Sequence, residues 1–280
     1  MYEVHSRRVT GGIHVIAGCV VFEDRYGDVA DPPDWYEAGQ AVHSPFNAYL
    51  IEGERSLLYD TLPHNMESEI LAEVDDILDG DELDVLVVSH PEAPHGGNAP
   101  ALLDAYPEAE LLLPSAGSMH DLHIGADPES FRTLAHRERL DLGDHQIEFH
   151  DPLLFDLAAT IWMMEETTGT LFTSDAFGYP HLERECTRFT DEIADRPEAI
   201  VERWANFHAT AIPWVEYYDP EKYATLAENL IEKYDIRHLA PAHGAPMTAD
   251  AEAYLRGLER TIANFNENAG VYGGNTQWLP

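Results

Sequence analysis

An α/β fold with helices packed outside a sheet core is what this sequence of 280 residues predicts. Three observations point there. Strand-like segments crowd the first sixty residues. Strand and helix signals then alternate through the middle, and helical signals dominate after residue 175. Hydrophobic residues make up 44% of the chain, enough for a large core, so intrinsic disorder is excluded despite the charge. One domain is expected over residues 1–267, with 268–280 an irregular tail.

Taken in order, Ile13 to Phe22 reads as a strand. The stretch from Phe22 to Asn47 reads as loop, rich in Gly and Pro. Asn47–Ile51 and Ser56–Tyr59 flank a Glu-Gly-Glu-Arg loop and form a hairpin. Met66 to Leu78 has the three-and-four apolar spacing of an amphipathic helix, and Leu83 to Ser89 suits a buried parallel strand. Ala99–Ala105 is a helix, Ala109–Pro114 a strand and Ser115–Leu122 a helix. Leu140, Ile147–Phe149, Ile161–Glu165 and Thr170–Thr173 are further strands. Helices are expected at Arg184–Ala194, Glu198–His208, Pro220–Lys233 and Ala249–Glu267, with a short strand at His238–Pro241. Trp162, Met163 and Met164 read as core.

Charge narrows the partners. Sixteen Lys and Arg face 52 Asp and Glu, a formal net charge of −36. No basic surface remains to neutralise phosphates, which excludes a nucleic-acid or anionic-membrane partner. Such self-repulsion is screened in molar salt, where the Debye length is about 3 Å, so the composition reads as adaptation to a high-salt cytoplasm. No run approaches the roughly 20 apolar residues of a membrane span and the start lacks a signal peptide's hydrophobic stretch, so a soluble, cytoplasmic protein is expected. Cys19 and Cys186 make no framework and pair only where the fold juxtaposes them.

Chemistry collects at strand ends. In VLVVSHPEAPHGGNAPALL (85–103) a buried strand ends at Ser89 and is followed by His90, Glu92 and His95, then two glycines and a helix. Two imidazoles and a carboxylate in such a turn can converge on a metal, although a solvated polar loop reads equally well from this segment alone. Asp175 in GTLFTSDAFGYPH and His243 in RHLAPAHGAPM repeat the setting: an apolar strand, a ligand-type side chain, a small residue. The bland readings are a helix cap for Asp175 and a solvated loop residue for His243.

These residues resemble the metallo-β-lactamase superfamily, and more narrowly the catalytic core of the flavodiiron proteins. SPFNAYLIEGERSLLYDT (44–61) is similar to the family's opening hairpin. SHPEAPHGG (89–97) matches its His-x-Glu-x-Asp-His loop at three of four ligand positions, and LFTSDAFG and APAHG match the segments carrying the bridging Asp and the last His. Glu92, where hydrolases of the superfamily have His, favours the flavodiiron branch. The resemblance implies a four-layer αββα sandwich with a dinuclear site at one edge. His90, Glu92 and Asp175 would bind one metal, and His95, Asp175 and His243 the other.

Two positions depart from the family. Pro94 stands where the loop Asp is expected, and Phe155 where a His is expected, so His150, Asp151 and Asp156 are candidate substitutes. Only a short tail follows residue 267, so no flavin domain is expected, and electrons would come from an external donor protein. The resemblance implies one or two metal ions, iron favoured and zinc possible, acting redox-wise on O2 or NO. The competing readings are a metal-dependent hydrolase, a non-catalytic O2 or NO sensor, and a degenerate fold without metal. Homodimers occur in the family. Asp60 is expected to hydrogen-bond a ligand His, and Tyr179 and His181 to stand behind the ligands or at the rim. His136, His145 and His208 read as surface or helix-face residues.

Overall fold

The computed structural model describes residues 4–23, 36, 38–118, 122, 130–182, 185–194 and 197–267. The expected tail at 268–280 lies outside these residues, as do 119–121 of the helix expected at Ser115–Leu122. Two sheets carry the molecule. The first contains β1 (Val4–Thr10), β2 (Ile13–Phe22), β3 (Val42–Ile51), β4 (Leu57–Tyr59), β5 (Val85–Val87), β6 (Glu110–Leu113) and β7 (Arg132–Thr133), in that spatial order. The second runs β13 (His238–Pro241), β11 (Thr170–Ser174), β10 (Trp162–Glu165), β9 (Gln146–His150) and β8 (Arg139–Asp141). A two-residue strand, β12 (His181–Leu182), pairs with the start of β3.

Alternation along each strand sorts side chains between two faces. Ile13, Val15, Tyr49, Ile51, Val85 and Val87 of the first sheet meet Ile147, Phe149, Met163 and Phe172 of the second in one buried cluster. Their neighbours Ile16, Ala48, Leu50, Leu58, Leu86 and Val88 point the other way, under α1 (Glu67–Leu78) and α3 (Ala99–Ala105). Trp162, Met164 and Leu171 face outward on the second sheet, beneath α5 (Glu198–Ala211), α6 (Pro220–Lys233) and α7 (Ala251–Glu267). The result is the αββα order: helices, sheet, sheet, helices.

Some elements differ from expectation. β1, VHSRRVT, is too polar to announce itself. It is an edge strand held by its ladder to β2, and the charge of Arg7 and Arg8 is the kind that protects such an edge. Among the described residues of the expected 184–194 helix, the α-helix is confined to α4 (Thr190–Ile193), and Arg184 lies outside the described residues. β3 begins at Val42, inside the stretch read as loop. Its first residues gain strand character from partners on both sides, β2 and β12. Among the described residues no helix is long and apolar enough to cross a membrane.

Candidate metal centre

Four strand ends converge on one buried cluster of side chains, the first pocket. β4 and β5 run parallel in the first sheet, and β11 and β13 run parallel in the second. Their carboxyl ends deliver Asp60, then Ser89 and His90, then Asp175, then His243. His95 arrives on α2 (Ala93–Gly96), a four-residue helix with Pro94 in its first turn, where a missing N–H costs nothing. The sheets are tied beside the pocket. Tyr59 Oη donates to Ile161 O at 2.8 Å, and Asn47 Nδ2 donates to Pro241 O at 2.8 Å and to Gly244 O at 2.7 Å, holding the His243 turn. Gly244 has φ +96 and packs under the Tyr179 ring, so a side chain there meets both strain and contact.

Hydrogen bonds aim the imidazoles. His243 Nδ1–H donates to the Pro45 carbonyl at 2.7 Å. A carbonyl only accepts, so a neutral His243 carries its proton on Nδ1 and a lone pair on Nε2. His95 Nδ1 lies 2.8 Å from Asp60 Oδ2, which fixes the same tautomer. Asp60 is itself held by the Ser89 backbone N–H at 2.7 Å and the Ser89 hydroxyl at 3.0 Å. His90 Nδ1 stands 3.0 Å from Ser174 Oγ. Asp60 (φ 66) and Ser174 (φ 49) both occupy the left-handed region, so the backbone is strained at two of the residues that orient ligands.

The inward atoms are left over. His95 Nε2 is 3.0 Å and His243 Nε2 3.4 Å from Asp175 Oδ1. His90 Nε2 is 3.4 Å from Asp156 Oδ2 and 3.9 Å from Glu92 Oε2. Yet His90 Nε2, His95 Nε2 and Asp175 Oδ1 are buried without an aligned hydrogen bond. Imidazole lone pairs facing a carboxylate oxygen repel unless a cation shares the space, and a buried unpaired group is costly. Burial opposes charge on His95, but the carboxylates of Asp60 and Asp175 outweigh it and hold its pKa well above the usual imidazole range. Burial likewise opposes charge on Asp175, and the three imidazoles outweigh it and hold its carboxyl well below the usual range. One candidate metal-holding set joins His90, His95 and Asp175, and another joins His90, Glu92 and Asp156, with the donor atoms of each within 4.8 Å of one another.

The other expected residues separate clearly. Of the three possible substitutes only Asp156 reaches the pocket. His150 Nε2 turns instead to Tyr234 Oη at 2.8 Å, and its pKa is lowered to about 4, chiefly by burial. Asp151 is exposed and paired with His136. Phe155 uses its carbonyl to accept from Trp214 Nε1 at 2.8 Å. Tyr179 stands behind the His243 turn, its hydroxyl accepting from Ala245 N at 3.4 Å. His181 leaves this pocket altogether: it meets Cys19, Cys186 and His43 on another part of β3. Of the residues read as surface or helix-face, His208 lies on α5, and both it and His145 are buried. His145 pairs with Glu165 at 3.2 Å, and His208 accepts from Phe177 N–H at 3.3 Å. Ser89, Ser174 and Asn47 were missed, since lone polar residues near strand ends carry no pattern in a sequence.

Comparison with known proteins agrees with this geometry. The sequence pattern of the ODP family beta lactamase matches residues 45–244. The chain is 28% identical over 195 residues to "Rubredoxin-oxygen oxidoreductase" of Megalodesulfovibrio gigas, covering 68% of this chain and 45% of that protein. It is 25% identical over 239 residues to "Nitric oxide reductase" of Moorella thermoacetica, covering 84% of this chain and 57% of that protein. The chain thus spans about half the length of these relatives. Among solved structures, a fragment of putative diflavin flavoprotein A 5 from Nostoc superposes with TM-score 0.72 at 18% identity, covering 95% of this chain and 99% of the fragment. The oxidoreductase from Desulfovibrio gigas superposes with TM-score 0.71 at 20% identity, covering 94% and 61%. With the family pattern running from the third strand to the glycine beside His243, the chain belongs to the ODP family of beta lactamases, and the proteins it resembles there are flavodiiron cores.

Proposed function

We propose that this pocket holds one or two metal ions, iron favoured, and that the protein performs redox chemistry on a small molecule such as O2 or NO with electrons from an external donor. The observation that carries this reading is the pair of Nε2 atoms, of His95 and His243, turned on Asp175 Oδ1, each ring fixed from behind by an acceptor, with His95 Nε2 and Asp175 Oδ1 buried without an aligned hydrogen bond. His95, His243 and Asp175 make a two-histidine, one-carboxylate set of the kind that suits ferrous iron. His90, Glu92 and Asp156, with Asp175 between, make a second set richer in oxygen, which leans away from zinc. Asp156 thereby supplies a donor where the expected imidazole is Phe155.

When bound, iron supplies one-electron chemistry and open coordination positions. The chain's own residues do the rest. Asp60 and the Pro45 carbonyl hold two imidazoles in one tautomer, and Ser89 and Ser174 hold the third. Phe46 and Phe207 pack on His243, with ring centroids 5.2 and 5.1 Å away, and keep water from its back. The names carried by the relatives, an oxygen oxidoreductase and a nitric oxide reductase, support the choice of small molecule. Pro94 offers no carboxylate to orient a hydroxide, which counts against hydrolysis.

The test is metal analysis of protein produced with iron present, with absorption spectra before and after O2 or NO and turnover with a chemical reductant. Iron whose charge-transfer absorption responds to the gas, with reductant-dependent consumption, supports the reading. A response without consumption leaves a sensor. Zinc with turnover of a generic ester or lactam means a hydrolase, and absence of bound metal means a degenerate fold.

A further inference from the structure

The only two cysteines of the chain lie 167 positions apart in sequence and meet beside two histidines. Register explains how. Across β2 and β3, Cys19 pairs with Pro45 and Val21 with His43, so Cys19 and His43 project from one face of the sheet. Across β3 and β12, His43 pairs with His181, which adds a third side chain to that face. Cys186, four positions beyond Leu182 in sequence, is the fourth member of the group. His181 Nε2 lies 3.3 Å from Cys19 Sγ and 3.3 Å from Cys186 Sγ, and Cys186 Sγ lies 3.0 Å from His43 Nδ1. The four donor atoms all fall within 4.8 Å of one another.

We propose that Cys19, His43, His181 and Cys186 form a second, separate metal site, a closed Cys2His2 centre that takes zinc. A tetrahedral zinc with sulfur at about 2.3 Å and nitrogen at about 2.0–2.1 Å has sulfur–nitrogen edges of about 3.5 Å. Two of the observed edges, at 3.3 Å, are slightly shorter than that, and the third, at 3.0 Å, is about half an ångström shorter. One Nε2 placed equally between two sulfurs is poorly served by a single proton and well served by a shared ion. Cys19 (8% exposed), His43 (7%) and His181 (2%) are buried and Cys186 is partly exposed; four protein donors would fill a tetrahedral shell, as in structural zinc sites. Two sulfurs with two imidazoles select zinc over the harder cations.

The site has mechanical work to do. β12 is two residues long and lies off the main strand order. A zinc there pins it to β2 and β3 at once. It also braces the start of β3, where Pro45, two residues beyond His43, accepts from His243 in the first pocket. The two sites share no ligand, so either stands without the other.

The experiment uses the full chain. Zinc is measured per chain in the wild type, Cys19→Ser, Cys186→Ser and, as a control in the first pocket, His95→Ala. Each is then exchanged with cobalt. The expected result is a near-ultraviolet thiolate-to-cobalt band in the wild type and His95→Ala that is lost in both Ser variants, with one zinc per chain lost alongside it. Should the Ser variants fail to fold, the wild type still decides: a mercurial reagent that blocks both thiols should release one zinc per chain. No thiolate–cobalt band and no zinc released on blocking the thiols overturns the proposal, as does a Cys19–Cys186 disulfide found in peptides of the native protein.

Discussion

Asp60 Oδ2 stands 2.8 Å from His95 Nδ1, and the opposite nitrogen of the same ring faces Asp175 Oδ1 at 3.0 Å. The imidazole is thus held between two buried carboxylates, one that fixes its tautomer and one that shares its inner side. Asp60→Asn keeps an oxygen acceptor but removes the charge. Loss of such an outer partner typically weakens metal binding by about 10–100-fold. Titration of metal-free protein with ferrous iron should show that loss, while melting of the metal-free protein should change far less. Equal affinity in the variant would mean that Asp60 serves packing alone.

Asp156 bears the second prediction. Its carboxylate lies 3.4 Å from His90 Nε2, while its neighbour Phe155 is engaged through its backbone with Trp214. Asp156→Ala should lower metal stoichiometry, most at the set containing Glu92. Phe155→His should not raise it, because Asp156 already occupies that corner. A rise in bound metal with Phe155→His would show the corner to be open.

Much of this pocket is legible in the sequence, because a strand followed by an acid or imidazole and then a small residue recurs at His90, Asp175 and His243, and parallel strands bring such ends together. Asp156 was one of three neighbours between which only register could choose. The Cys19–Cys186 neighbourhood was illegible for a different reason. Its contacts depend on β2–β3–β12 pairing, and half of that pairing lies in a stretch whose Gly and Pro content signals loop. The burial of His145 and His208 is not legible, because a single polar residue on a half-buried face gives no periodic signal. What decides them is a partner distant in sequence: Glu165 for one, the Phe177 amide for the other.

Gly244 carries a third prediction. Its φ of +96 is one that L side chains rarely adopt, and an added Cβ would fall 2.8 Å from the Tyr179 ring. Gly244→Ala should cost about 1–3 kcal/mol from backbone strain alone. It should also reduce metal binding, because the same turn positions His243. Urea unfolding of the metal-free variant separates the first effect from the second. A variant of wild-type stability would mean that the turn relaxes freely.

The Glu165–His145 pair gives the pH dependence. Burial would raise the Glu165 carboxyl, but the His145 imidazole 3.2 Å away and the amides of the Thr167–Thr168 turn, which donate to it, hold it at about 2. A carboxylate depressed in the fold contributes stability above its unfolded pKa of about 4, and that contribution is lost as pH falls toward its folded value. His145 is raised in the fold, first by its bond to Glu165, so its contribution is complete below about pH 6.5 and fades as pH climbs through the folded value. Glu165→Gln should therefore be less stable than wild type near pH 5–6, with the gap narrowing toward pH 2. Melting temperatures across that range check it, and a gap that widens in acid would assign the stability elsewhere.

Net charge supplies the last prediction, and it concerns the whole surface. A formal charge of −36 on 280 residues repels itself at long range, while the ion pairs that offset it are mostly exposed, such as Arg256 with Glu228 and Arg7 with Glu192. Exposed pairs contribute little each and weaken in salt, whereas the summed repulsion is screened once the Debye length falls to about 3 Å near 1 M. With 52 acidic side chains against 16 basic ones, repulsion outweighs pairing. Added potassium chloride should therefore raise the melting temperature well beyond 0.15 M, roughly where ordinary screening saturates for proteins of small net charge. Sodium chloride should act alike, since screening depends on ionic strength. A melting temperature flat between low and molar salt would show that the carboxylates are already balanced locally, and the reading of a high-salt habitat would lose its physical basis.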